Sequence, residues 1–295
     1  MTRLKKFKWK TLGPGYYEVR LTSWKEFPDF VYQETLEYDS YVWRGQRCDS
    51  WKLDTKIDRL IRDAKVAKTK QSNFLETHLE QFKLAVRGRR GPNPPILEDD
   101  NAWWSLGQHH GLATPLLDWT TSPFVAAFFA FIEVGERQTK FRAIYALYQP
   151  SVEKRAKELA DQDNESKQKT LLEEQEAGKT PLVGYRNALR YAFLNTKTEP
   201  AIKFIRSFSD ENQRLVNQGG LFTRSITRMS LDDWVPKNQP DGDTSMTLIK
   251  ILIPNTERDN CLRMLNRMNI NHLSLFPDLS GASNFCNLYS EIDSY

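Results

Sequence analysis

The chain has 295 residues, of which 39% are hydrophobic and 27% charged, and its net charge is +4. That is enough chain to bury a sizeable core as one large or two small domains. The mildly basic balance permits a nucleic-acid partner without requiring one. Three widely spaced cysteines, Cys48, Cys261 and Cys286, give neither a disulfide framework nor a CxxC metal pattern, so no metal is expected. No run approaches the roughly 18 apolar residues of a membrane helix, and no apolar signal segment follows the basic start. The expectation is a cytoplasmic protein in a reducing compartment with no membrane partner.

The first ten residues, MTRLKKFKWK, read as a solvated basic arm ending in an edge strand. Tyr16 to Leu21 reads as a strand, and SWKEFPDFVYQETL from Ser23 as a helix interrupted at Pro28. Tyr41-Val42-Trp43 has strand propensity. Arg44 closes it, and Gly45 lets the backbone turn or come close to a ligand. Alone, such an arginine is an ordinary surface or ion-paired residue. Helical spacing follows over Leu53 to Lys68 and more clearly over Phe74 to Val86. The loop RGRRGPNPP, Arg87 to Pro95, is a basic knot, either solvated or a phosphate contact.

Gly107 to Phe131, GQHHGLATPLLDWTTSPFVAAFFAF, reads as polar loop, short buried strand, then helix. Thr121 or Ser122 is a good N-cap and Pro123 suits the first helical position. Phe124 to Phe131 is apolar all round, the mark of a buried helix. Its N-terminus points at His109, His110, Asp118, Thr120, Thr121 and Ser122, and the free N–H groups there suit a phosphate. The plainer reading is a well-capped core helix. Phe141 to Tyr148 is a strand. Ser151 to Lys179 is Glu/Lys-rich and reads as an exposed helix or insertion that buries little. Leu182 to Leu194 is helical, Ala201 to Phe208 a strand, and Ser209 starts a capped helical turn stopped at Gly219-Gly220, with Gln218 at the stop. Leu221 to Thr227 is extended again. Met246 to Pro254 is the clearest strand, a helix follows to Met268, and a Pro-Asp turn leads to a terminal helix. With no internal repeat and no dividing linker, the pattern is α+β, helices first and strands gathered later.

WRGQ, QHHGLATPLLDWTTSPFVAAFFAF, NQRLVNQGGLF and SLFPDLSG, in that order, resemble the FRG-domain family, whose name comes from a Phe-Arg-Gly motif. The resemblance runs from about Tyr41 to Ala282, which leaves residues 1–40 as an N-terminal extension and 151–180 as a charged insertion. Trp43 departs from the usual Phe or Tyr, Pro115 stands where an arginine is common, and Ser280 replaces a common Asp. The resemblance implies an ADP-ribosyltransferase-like split β-sheet core with helices preceding and packed around it. It also implies NAD as co-substrate and a toxin of bacterial anti-phage or toxin–antitoxin systems, with a protein antitoxin as partner.

In that frame Arg44 is the phosphate or ribose anchor, since its planar fork matches an anion. Gln218 is the positional substitute for the family's glutamate. An amide orients a hydroxyl but cannot act as a base, so Asp118, His109 and His110 remain as acid–base groups. Glu174-Gln175-Glu176 has a Glu-x-Glu spacing but falls in the solvated run. The catalytic set implied is Arg44, His110, Asp118 and Gln218. The residues implied to hold NAD are Trp43, Gly45, Gln46, His109, Thr120, Thr121 and Ser122. The basic charge, the RGRRG loop and the 12% aromatic content lean toward an RNA or DNA acceptor over a protein. Water as acceptor, giving an NAD glycohydrolase, and a non-catalytic nucleotide- or partner-binding module are the alternatives.

Overall fold

The computed structural model describes residues 7–71, 73–94, 96–134, 139–177, 185–206, 213–225 and 229–295. The start of the helical turn expected from Ser209 and the end of the extended run at Thr227 lie outside the described residues; the turn's described part is helical over Gln213–Asn217.

One sheet organises the chain. In sequence order its strands are β1 (Trp9–Gly13), β2 (Tyr16–Arg20), β3 (Tyr41–Gln46), β4 (Leu116–Thr120), β5 (Phe141–Tyr148), β6 (Ile202–Ile205), β7 (Gly220–Ser225) and β8 (Leu248–Pro254). Their spatial order is β1-β2-β8-β5-β3-β4-β7-β6. The β2–β8 pair is parallel and the other pairs are antiparallel. The α+β expectation holds: helices cover a mixed eight-stranded sheet.

The innermost strands carry apolar side chains on both faces, as a sheet covered on both sides requires. On β5, Ile144 and Ala146 enter one core while Ala143, Tyr145 and Leu147 enter the other. β8 does the same with Ile249, Ile251 and Ile253 against Leu248 and Leu252. Residues before Tyr41, read as an extension, supply β1, β2 and the buried rings of Trp24, Phe27 and Phe30 to this core. Pro28 does not interrupt its helix, Glu26–Phe30. It falls in the first turn, where its missing N–H has no intrahelical partner to lose.

The run from Ser151 is more structural than its composition implied. It belongs to a helix spanning Gln149–Glu176, where Val152 and Ala156 pack into the sheet core and Ala160 is buried one turn on. Beyond them Lys167 is buried as well, with its ammonium on Asp163, Thr198 and the Thr196 carbonyl. Four-residue spacing of small apolar residues in a charged run is the signal that separates this half from a solvated helix. Among the described residues, no helix is long and apolar enough to cross a membrane.

The helix Pro123–Phe131 lies across β3 with Ala126, Ala127, Phe128, Ala130 and Phe131 buried. Buried helix ends need partners for their last carbonyls, and two arginines provide them. Arg142, fully buried, donates to Ala130 O at 3.0 Å, Glu133 O at 2.9 Å and Asn255 Oδ1 at 2.7 Å. Arg258 donates to Phe131 O and Ile132 O, both at 3.0 Å. Burial, with Arg258 and Arg47 nearby, pulls Arg142 down to about 10. The helix is fixed at its C-terminal end by charge and along its length by packing, and this holds the wall of the cleft.

Candidate active site

β3 and β4 are neighbours in the sheet, yet they pair only at Trp43 and Thr120. Beyond that point they diverge. β3 stays in register with β5 along its whole length, and β4 stays in register with β7, so the sheet opens between two well-paired halves. A cleft of about 380 Å³ occupies the opening. Arg44, Asp118, Thr120, Gln218, Arg214 and His109 line it with polar groups, and Phe129, Phe222 and Phe276 with rings.

Arg44 bridges the gap. Its Nη1 donates to the Asp118 carbonyl at 2.7 Å and stands 3.5 Å from Oδ2 of the same residue. Its Nε is buried without a hydrogen-bond partner. Burial pulls the guanidinium below its ordinary range, Asp118 opposes that shift, and Arg59 adds to it. The Arg44 side chain is 19% exposed and that of Asp118 is 57%, so the carboxylate faces the open side. Gln108 Nε2 holds both Asp118 oxygens, at 3.0 and 3.1 Å, and the Thr114 hydroxyl in turn donates to Gln108 Oε1. This chain fixes the direction of the one carboxylate found among the described residues of the cleft wall.

The opposite wall comes from the segment before β7 and from the C-terminal turn. Gln218 donates through Nε2 to Leu275 O at 3.2 Å, which leaves Oε1 as the atom free to accept. Arg214, one helical turn earlier, donates to Asp278 Oδ2 through Nε at 2.9 Å and lies over the Phe276 ring at 5.4 Å. Asp278 also caps the Leu279–Glu291 helix, accepting from Gly281 N at 2.9 Å, and the Arg214 contact holds its carboxyl below the usual range.

The expected residues divide as follows. Trp43, Arg44, Gly45, His109, Asp118, Thr120 and Gln218 line the cleft together. His110 does not: it is exposed, with its ring edge on His109 at 4.8 Å. His109 is therefore the histidine that faces the cleft. Burial, His110 and Arg214 lower its pKa against the pull of Asp278. Gln46 is absent from the cleft wall and lines the cavity beside it, where Nε2 donates to Lys52 O at 3.2 Å. Thr121 and Ser122 are absent from the cleft wall.

The helix N-terminus behind them is closed internally. Ser122 N donates to Thr120 Oγ1 at 3.1 Å, Val125 N to Ser122 Oγ at 3.3 Å, and Ala126 N to Ser122 O at 3.1 Å. The helix offers the cleft its Ala126 and Phe129 face instead of its N–H groups. Thr120 Oγ1 also donates to Gln218 O at 2.6 Å, tying the two walls.

Gly45 is needed for packing: a Cβ there would overlap the Ala126 carbonyl oxygen and stand 2.5 Å from Ala130 N. Glu174 pairs with Arg190 on a neighbouring helix, at 2.5 Å, and has no place in the cleft. In the RGRRG loop Arg89 donates to Ala85 O and Arg90 lies over Trp103, and neither reaches the cleft. Among the described residues no group of three His, Cys, Asp or Glu side chains could hold a metal ion.

Sequence reasoning passed over Gln108, Arg214, Phe129 and Phe276. The i, i+4 spacing of Arg214 and Gln218 was the available signal for one. Gln108 was hidden because its segment read as a loop. It is the last turn of a helix, Asp100–His109, capped by Asp99, whose Oδ1 accepts from Ala102 N at 2.8 Å.

Residues 39–139 match the FRG domain family model. The chain carries an FRG domain. A comparison with curated proteins and one with solved structures returned no match. The FRG domain contains β3, β4, Arg44, Gln108, His109 and Asp118, hence one wall of the cleft and the helix that supports it. Gln218, Arg214 and Phe276 complete the cleft from outside the matched residues.

The support behind the FRG domain carries a pH-sensitive group. His272 is 4% exposed between Phe128 and Phe276, at 5.2 and 5.7 Å, with Nδ1 buried and unpartnered. Burial lowers its pKa. The unfolded chain therefore takes up a proton near pH 6.5, before the folded one does, and stability falls as pH drops through that region. Thermal melts from about pH 7.5 to about pH 5.5 are expected to show a falling midpoint, and a flatter fall in His272→Phe. An equal slope in the variant would assign the effect elsewhere.

Proposed function

We propose that the chain is an NAD-consuming ADP-ribosyltransferase whose NAD site is the cleft between β3 and β4. The observation that carries this reading is the opening of the sheet beyond Trp43 and Thr120, with Arg44 and Asp118 facing each other across it. An opening at this place supports the reading, because the FRG resemblance implies a split sheet. The site also fits the dinucleotide chemically. Arg44 brings an unpartnered buried Nε and Arg214 a second guanidinium for a diphosphate, and Phe129 and Phe276 offer ring faces to nicotinamide.

Transfer breaks the bond from nicotinamide nitrogen to ribose C1. The electron pair leaves with nicotinamide, and an acceptor lone pair forms the new bond to C1. Asp118, held by Gln108, stabilises the positive sugar. Gln218 Oε1 accepts from a ribose hydroxyl. His109, kept neutral at pH 7, takes the acceptor's proton. Its lowered pKa predicts an acidic limb displaced below that of an ordinary histidine, with activity level above it. His109→Ala is expected to lose that acidic limb along with most of its rate. Asp118→Asn is expected to lose turnover with little change in melting temperature. An unaltered acidic limb in His109→Ala would remove His109 as the base.

The acceptor is proposed to be nucleic acid, RNA foremost, and the setting a cytoplasmic toxin of anti-phage defence restrained by a protein antitoxin. The toxin reading rests on the family resemblance, the acceptor on the basic, aromatic surface. Labelled NAD incubated with the protein alone, with RNA, with DNA and with lysate tests the reading. Label on nucleic acid supports it. Free ADP-ribose in every arm makes the protein a glycohydrolase, for which the solvent-facing Asp118 carboxylate would give water a path. Intact NAD in every arm makes the cleft a binding module.

A further inference from the structure

A second cavity, of about 750 Å³, adjoins the cleft and shares Arg44, Gly45 and Phe129 with it. We propose that this cavity docks single-stranded nucleic acid, with phosphates on Arg47, Arg59 and Arg62 and a base against Trp51, and so brings the acceptor beside the cleft. The placement beside the cleft rests on the transferase reading; the docking itself does not.

The wall carries five cations, Arg44, Arg47, Lys52, Arg59 and Arg62, against two acids, Asp54 and Glu133. Carboxylates from beyond the wall join these two: Arg44 stands 3.5 Å from Asp118, Arg47 pairs with Glu133, Lys52 with Asp233 at 2.6 Å, and Arg62 with Asp54 at 2.8 Å. Arg59 donates to the Asp54 carbonyl at 2.7 Å, and its charge is felt at Arg44. The pairs of Arg47, Lys52 and Arg62 are solvent-exposed, and exposed ion pairs contribute little, so a phosphate chain can replace their carboxylates at small cost.

Besides the Arg44 Nε assigned to the dinucleotide, two buried polar atoms at this wall lack hydrogen-bond partners: Arg47 Nε and Gln46 Oε1. Buried polar groups are normally satisfied, and this pair asks for an acceptor and a donor together. The Arg47 guanidinium lies over the Trp51 ring at 4.9 Å, and Trp51 is 40% exposed. A nucleotide supplies all three complements: a phosphate for the guanidinium groups, an N–H on the base edge for Gln46, and a flat ring for Trp51. An acidic peptide side chain supplies only the first.

The test is fluorescence anisotropy of the full chain with a labelled single-stranded RNA and the same sequence as DNA, without NAD, beside NAD titration calorimetry on the same samples. Wild type is expected to bind an oligonucleotide with salt-dependent affinity. Arg59→Glu/Arg62→Glu and Trp51→Ala are each expected to weaken it roughly tenfold or more, with melting temperature and NAD affinity unchanged. Trp51, at the surface, guards against a charge-reversal variant that fails to fold. Wild type that binds neither oligonucleotide overturns the proposal, as do variants that bind like wild type. A parallel loss of NAD affinity also overturns it, by giving the cavity to the dinucleotide. Oligonucleotide binding by a wild type that leaves NAD intact upholds the docking site and rejects the transferase reading.

Discussion

Arg44→Ala is expected to lower NAD consumption by at least about 100-fold while the protein stays folded. The guanidinium spans the opening between β3 and β4, through Nη1 on the Asp118 carbonyl, and its Nε is buried without a partner. Its loss removes the anchor for an anion at the point where the two halves of the sheet part. The stability cost is small, about 1 kcal/mol, because the Asp118 side is open enough for water to replace the lost donor. Arg44→Lys is expected to recover little, since an ammonium cannot hold an oxyanion at two points and the Asp118 carbonyl at once. Rates from nicotinamide release, read beside melting temperatures, check both parts. Full turnover in Arg44→Ala would take the residue out of the site.

Gly45→Ala is expected to do the opposite, abolishing the fold before any chemistry can be measured. The added methyl would overlap the Ala126 carbonyl oxygen and stand 2.5 Å from the Ala130 backbone nitrogen. Both belong to the Pro123–Phe131 helix, which Arg142 and Arg258 hold from its far end. Neither the helix nor β3 can give way cheaply, since β3 is paired along its length with β5. A backbone clash of this kind exceeds ordinary overpacking, and a loss of about 5 kcal/mol or more places it among exceptional single substitutions. Gly88→Ala is the control. Open space surrounds that Cβ, and only its φ of +72° opposes the change, at about 1–2 kcal/mol. Circular dichroism melts of the two variants measure the difference. A Gly45→Ala protein as stable as Gly88→Ala would show that the helix does not press on β3 as described.

These two neighbours show what the sequence could and could not convey. Arg44 and Gly45 stood out together, and a turn or a ligand contact was the reading for the glycine. The structure gives the close approach a different partner, a helix some 80 residues later in the chain, which no local pattern announces. The interior strands β5 and β8 are legible because burial on both faces leaves a continuous apolar run. β1 and β2 were legible as strands, but their place in the main sheet was not, because β2 pairs in parallel with β8 across more than 200 residues. At the cleft, Asp118 and Gln218 were found through their motifs, whereas the ring of Phe276 is brought in by tertiary packing alone. The segment that holds the histidine pair reads as a polar loop. It closes a helix instead, and His109 faces the cleft in place of His110. The helix start reads either as a phosphate cradle or, more plainly, as a well-capped core helix, and the structure has the second, with Thr120 and Ser122 accepting from the N–H groups of Ser122 and Val125.

Hydrogen–deuterium exchange of the full chain with and without saturating NAD tests most directly whether the split in the sheet is the NAD site. The account predicts slower exchange on NAD addition in 43–46, 117–121 and 214–220, and no such change in Arg44→Ala. Protection confined to other segments, or the same protection in wild type and Arg44→Ala, would contradict it.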